Sequence, residues 1–116
     1  EDVSTLPNLL KKYNPNLQGY SIGTGKEGTQ NAANNLAVSG AVTNGLPDQA
    51  IKLVTKLSGS SEWKVITIFI GGNDLCVACS DSSYTDTNYY NKMKESIDIL
   101  KSGLTNTFIN IVLPPN

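Results

Sequence analysis

Residues 63–75 read WKVITIFIGGNDL, and the fold turns on this stretch. Val65, Ile66, Ile68, Phe69 and Ile70 are apolar without the polar alternation of a half-wet strand. That pattern suits a strand covered on both faces, as in a parallel sheet. Gly71 and Gly72 stop the run where a permissive backbone can turn sharply. Asn73 and Asp74 then project at the carboxyl end of the strand, where open α/β sheets place their chemistry.

Outward from the turn, the neighbours read as alternating helices and strands. Residues 47–57 form an amphipathic helix with Leu46, Ala50, Leu53, Val54 and Leu57 on one side. Asp48 in its first turn and Lys56 in its last suit the helix dipole. Residues 75–83 read as irregular and hold both cysteines. A long helix spans residues 87–102, with Tyr90, Met93, Ile97 and Leu100 on the buried stripe and Gly103 as its stop. Residues 107–113 are a last strand, closed by Pro114 and Pro115. Upstream, residues 34–41 read as a short strand ending in a small-residue turn. Residues 5–13 form a helix capped by Thr5 or Ser4, with Leu6, Leu9, Leu10 and Tyr13 on one face. Strand–helix–strand–helix–strand implies an α/β fold with right-handed crossovers and a parallel sheet.

Composition narrows the function classes. A chain of 116 residues suits one domain, and 39% hydrophobic residues favour a globular one over a disordered one. Nine basic residues stand against ten acidic ones without clustering, which argues against nucleic acid as a partner. No apolar run approaches a membrane span. There is no histidine, so neither a complete Ser-His-Asp site nor a His-containing metal site can be built from these residues. Gly23, Gly25 and Gly28 spell G-x-G-x-x-G with Asp48 downstream, but no strong strand leads in, so a surface loop is the better reading. For Asn73-Asp74 a plain tight turn is the commoner meaning of such residues, and for Gly40 a turn glycine at positive φ. Cys76 and Cys79 form a C-x-x-C that lacks further zinc ligands; a structural disulfide outside the cytoplasm fits better than a redox pair. Trp63, Tyr89 and Tyr90 read as core or rim packing rather than an acyl-chain groove.

Residues 35–41 (NLAVSGA) and 70–76 (IGGNDLC) resemble two of the four conserved blocks of the SGNH, or GDSL-type, ester hydrolases. The likeness is closest to the phospholipase B branch. There DVxTLPN, GYSxGTG, WKxITxFIGGNDLCxxC and TFxNxV segments follow in the order seen here at residues 2–8, 19–25, 63–79 and 107–112. The resemblance implies a flavodoxin-like, doubly wound parallel sheet. It also implies cleavage of carboxylic ester bonds of phospholipids or lysophospholipids, at a membrane or micelle surface, through an acyl-serine intermediate and without cofactor or metal. It assigns oxyanion-hole roles to the Gly40 backbone N–H and the Asn73 side-chain amide, with Gly71, Gly72 and Asp74 supporting the turn and Cys76–Cys79 bridged. The family's GDS serine and DxxH histidine are absent. Residues 1–116 are therefore expected to be an internal fragment of one SGNH domain, lacking its first strand and C-terminal part, and inactive alone. The expected location is extracellular or membrane-anchored outside the cytoplasm. The alternative is a non-catalytic lipid- or protein-binding relative.

Overall fold

The computed structural model describes residues 4–114. Asp2 of the first matching segment and Pro115 lie outside the described residues. The chain divides into two compact units, Glu1–Leu36 and Ala37–Asn116.

In the first unit, helix α1 is Leu6–Leu10, opened by the Thr5 side chain accepting from the Asn8 N–H at 3.3 Å. It is shorter than the sequence suggests. The chain tightens after Leu10, whose carbonyl accepts from both the Tyr13 and Asn14 N–H groups, and Tyr13 is 89% exposed rather than on a buried face. The glycine-rich segment folds back on residues 31–34. Ile22 N–H donates to the Asn31 carbonyl at 2.7 Å, Asn34 N–H to Gly19 at 3.0 Å, and Asn31 Nδ2 to Thr24 at 2.9 Å. Gly23 and Gly28 hold positive φ in this loop, which neither leaves a strand nor opens an α-helix, so the context of a dinucleotide site is missing.

The second unit holds α2 (Leu46–Leu57), β1 (Lys64–Phe69), α3 (Gly72–Ala78), α4 (Asp86–Gly103) and β2 (Thr107–Val112). The strands pair in parallel, with Lys64 opposite Thr107 and Phe69 opposite Val112. Parallel strands need a long crossover, and α3 and α4 supply it. Ile66 and Ile68 of β1 and Ile109 of β2 meet Leu46 and Ala50 of α2 and Met93 and Leu100 of α4 in one core. The dipole-matching charges of α2 stand where the sequence placed them, Asp48 in the first turn and Lys56 in the last.

Further sequence expectations need correction here. Residues 34–41 join no ladder: among the described residues the sole sheet is β1–β2, and this segment has no strand beside it. The β1 strand is covered on one face only. Val65 and Phe69 are exposed with their partners Phe108 and Val112, because both packing helices share the face carrying Ile66 and Ile68. On α4 the residue packed on the core is Tyr89, not Tyr90, which is exposed; the adjacent tyrosines lie about 100° apart around the helix. Residues 75–78, read as irregular, belong to α3.

The start of β1 hides a lysine on the covered face, in phase with Ile66 and Ile68, although its charge alone would put it in water. Lys64 is buried, and its Nζ donates to the carbonyls of Ser60 (2.7 Å), Glu62 (2.8 Å) and Thr105 (3.2 Å). All three ammonium donors are thereby used, and the loops entering the two strands are tied together. Gly103 belongs to α4 rather than stopping it, and its lack of a side chain has a packing cause. An added Cβ would collide with both γ-methyls of Val54 on α2, one of them at 2.7 Å. Ala would gain about 1 kcal/mol of helix propensity, but overpacking against a stiff β-branched neighbour costs about 1–3 kcal/mol. Gly103→Ala is expected to lower stability by about 1 kcal/mol net, read as a lower urea midpoint at unchanged m-value; a raised midpoint would show the helices free to move apart.

Candidate functional site

The site is built where β1 runs into α3. Gly71 caps α3 in the left-handed region at φ 119°, and an added Cβ would stand 2.9 Å from Tyr89 Cε2 and 3.1 Å from Pro114 Cγ. Conformation and space both demand glycine there. Gly72 differs from expectation: it is the first residue of α3, without positive φ and with nothing within 4 Å of an added Cβ, so Gly71 alone carries the turn. Tyr89 closes over the turn, its hydroxyl donating to the Ile70 carbonyl at 3.3 Å.

The first turn of α3 aims two adjacent side chains at residues 41–43. Asn73 Nδ2 donates to the Ala41 carbonyl at 2.9 Å. Asp74 is buried, and both its carboxylate oxygens lie 3.0 Å from the Thr43 N–H. Just before Ala41 the chain makes a tight turn. Ala41 N–H donates to the Val38 carbonyl at 3.1 Å, and Gly40 occupies the third position at φ 76°, the glycine place of a type II turn. The Gly40 N–H makes no hydrogen bond among the described residues, and neither does the second amide proton of the exposed Asn73 side chain. Two donors with spare capacity therefore stand on adjoining pieces of backbone. After Thr43 a short 3-10 turn, Thr43–Gly45, leads directly into α2, and Asn88 Nδ2 on α4 donates to Asn44 Oδ1 at 2.9 Å.

The structure thus brings together Gly40, Gly71, Asn73 and Asp74. It does not join Cys76 to Cys79: both are exposed free thiols, Cys76 within α3 and Cys79 capping it. Helical side chains three apart have Cβ atoms about 5–6 Å apart, beyond the roughly 3.8 Å of a disulfide. The expectation of a bridge presumed irregular backbone, and α3 is helical. Sequence reading missed Thr43, and it read Tyr89 as core or rim packing without its hydroxyl bond to the turn. A threonine three residues past a candidate glycine carries no pattern, and the signal at Tyr89 was only its place on α4. Among the described residues no group of three His, Cys, Asp or Glu side chains could hold a metal ion.

Partial burial raises the Tyr89 phenol above its ordinary value, and the nearby Asp74 charge adds to this. The neutral phenol is favoured in the folded state, so its contribution to stability is whole below the unfolded value of 10.0 and is lost as pH rises through the folded value. Tyr89→Phe is expected to remove one raised phenol ionisation from an ultraviolet titration and to flatten the fall in stability above pH 10; an unchanged alkaline limb would rule this out.

With this geometry in hand, comparison with known proteins gives the class. The family profile described as GDSL-like Lipase/Acylhydrolase matches residues 2–115. The chain belongs to the GDSL-like lipase/acylhydrolase family. More particularly, it is 44% identical to "Phospholipase B1, membrane-associated" of Mus musculus over 96% of its length, and 43% identical to the Homo sapiens protein of that name over 95%. The Rattus norvegicus counterpart is 42% identical over 97%. The chain spans 8% of the length of each of these relatives. No solved structure matches.

Proposed function

We propose that this chain is the oxyanion-holding part of a serine ester hydrolase resembling phospholipase B, its parent fold being the doubly wound, flavodoxin-like sheet of the SGNH hydrolases. The longer protein hydrolyses carboxylic ester bonds of phospholipids or lysophospholipids. The observation that carries this reading is the Asn73–Ala41 hydrogen bond. It sets an exposed amide with a spare proton at the carbonyl of Ala41, the residue after Gly40, whose own N–H is unpaired.

In this reaction a serine hydroxyl attacks the ester carbonyl, and negative charge gathers on the carbonyl oxygen. The Gly40 N–H and the Asn73 amide donate to that oxygen. Donors held in place before charge develops need no reorganisation as the transition state forms. The C–O bond to the alcohol then breaks, leaving an acyl-serine that water hydrolyses. The nucleophile and its histidine are supplied from outside these 116 residues, which contain no GDS and no histidine. Neither metal nor organic cofactor enters the scheme.

The relatives' names say that they are membrane-associated, and among the described residues no helix is long and apolar enough to cross a membrane. On this reading the site works on lipid presented at a membrane or micelle surface, with the domain outside the cytoplasm.

The 116-residue chain alone is expected to turn over p-nitrophenyl butyrate no faster than buffer. In the longer protein Asn73→Ala is expected to lower kcat by about 10²–10³ with KM nearly unchanged. An unchanged kcat would remove Asn73 from the chemistry. A longer protein that binds lipid vesicles but cleaves no ester would instead identify a non-catalytic binding relative.

A further inference from the structure

We infer that Asp74 is a positioning residue whose carboxylate fixes residues 40–43 and so aims the Gly40 N–H. The structural part of this inference stands on the geometry, while its catalytic consequence rests on the hydrolase reading above. Asp74 was expected to support the turn that carries it. It instead reaches a residue 31 positions away. Gly71, Tyr89 and Pro114 already fix the turn before α3.

The two bonds from α3 have opposite polarity. Asn73 gives a proton to the carbonyl of residue 41, and Asp74 accepts one from the amide of residue 43. A single bond would leave the segment free to pivot, whereas two bonds to alternate residues fix its position and its rotation. Thr43 is wholly buried at 0% exposure, so water is a poor substitute for the carboxylate at its N–H.

The equal 3.0 Å distances also explain why the acid, rather than its amide, suits this place. The Thr43 N–H lies between the two oxygens. An asparagine in the same pose would set its own NH2, a pure donor, against that N–H. Asp74→Asn is therefore not silent, although it keeps the shape and one acceptor. Asp74→Ala removes both acceptors and leaves a buried amide unsatisfied.

The test has two arms. In the 116-residue chain, amide NMR compares Asp74→Asn and Asp74→Ala with Gly103→Ala, a destabilised control remote from residues 40–43 in sequence. Both Asp74 variants are expected to move the Thr43 and Gly40 resonances, with Thr43 exchange about tenfold faster in Asp74→Ala, the loss of about one hydrogen bond. The control leaves those resonances in place. In the longer protein, Asp74→Ala is expected to lower kcat about 10–100-fold through misplacement of the donor, with KM within about twofold and Asp74→Asn between it and wild type.

Gly40 and Thr43 shifts no larger than in the control overturn the inference, whatever the activity does. So does unfolding of both Asp74 variants, which would give the residue a stability role alone. Shifted amides with unchanged kcat also overturn it, since the aim of Gly40 would then not matter to turnover. A wild-type longer protein without esterase activity defeats the hydrolase reading and the catalytic consequence, while the amide arm still decides whether Asp74 sets the segment.

Discussion

Two side chains on the first turn of α3 hold a distant stretch of backbone, and much of the second unit is arranged around that contact. Asn73 and Asp74 meet residues 41 and 43 with a donor and an acceptor respectively. Beyond Thr43 lies a short 3-10 turn and then α2, so the same contact fixes where α2 begins. On the other side, α3 is placed by Gly71, whose αL conformation and crowded Cβ position admit no other residue without strain. Tyr89 of α4 then covers the junction. A buried carboxylate is costly unless it is hydrogen-bonded. The Thr43 N–H meets part of that need while having its own met.

The sheet beneath shows the same economy. Lys64 links the loops entering both strands through three carbonyls, and Asn106, at φ 51°, adds a side-chain donor to the Ser61 carbonyl at 2.8 Å. These bonds lie at the amino ends of the parallel strands. The Asn73–Asp74 contact lies just past the carboxyl end of β1. Structural cross-links thus gather at one end and the candidate chemistry at the other, as is general for ligand sites in open α/β sheets.

The outward face of β1 is apolar although Val65 and Phe69 on it are exposed. Val65 and Phe69 stand beside Phe108 and Val112 in the register of the ladder, all substantially exposed. A sequence suited to cover on both faces is here covered on one, since α2 and α4 share the face of Ile66 and Ile68. The family relationship agrees with an α/β parent fold.

What the sequence determined by itself was local. Helical periodicity placed α2 and α4 within a residue or two, the β-branched runs located both strands, and the glycine–asparagine–aspartate break marked the turn at the end of β1. Each of these is a preference of neighbouring residues for one backbone conformation. Tertiary structure decided the rest: that residues 34–41 find no strand partner among the described residues, that Tyr89 rather than Tyr90 faces inward, that Gly72 is dispensable to the turn, and that Cys76 stands on a helix that Cys79 caps. Above all it decided that Asp74 holds Thr43. A hydrogen bond between residues 31 positions apart depends on how the chain crosses over in space, and no local pattern of residue types encodes that path.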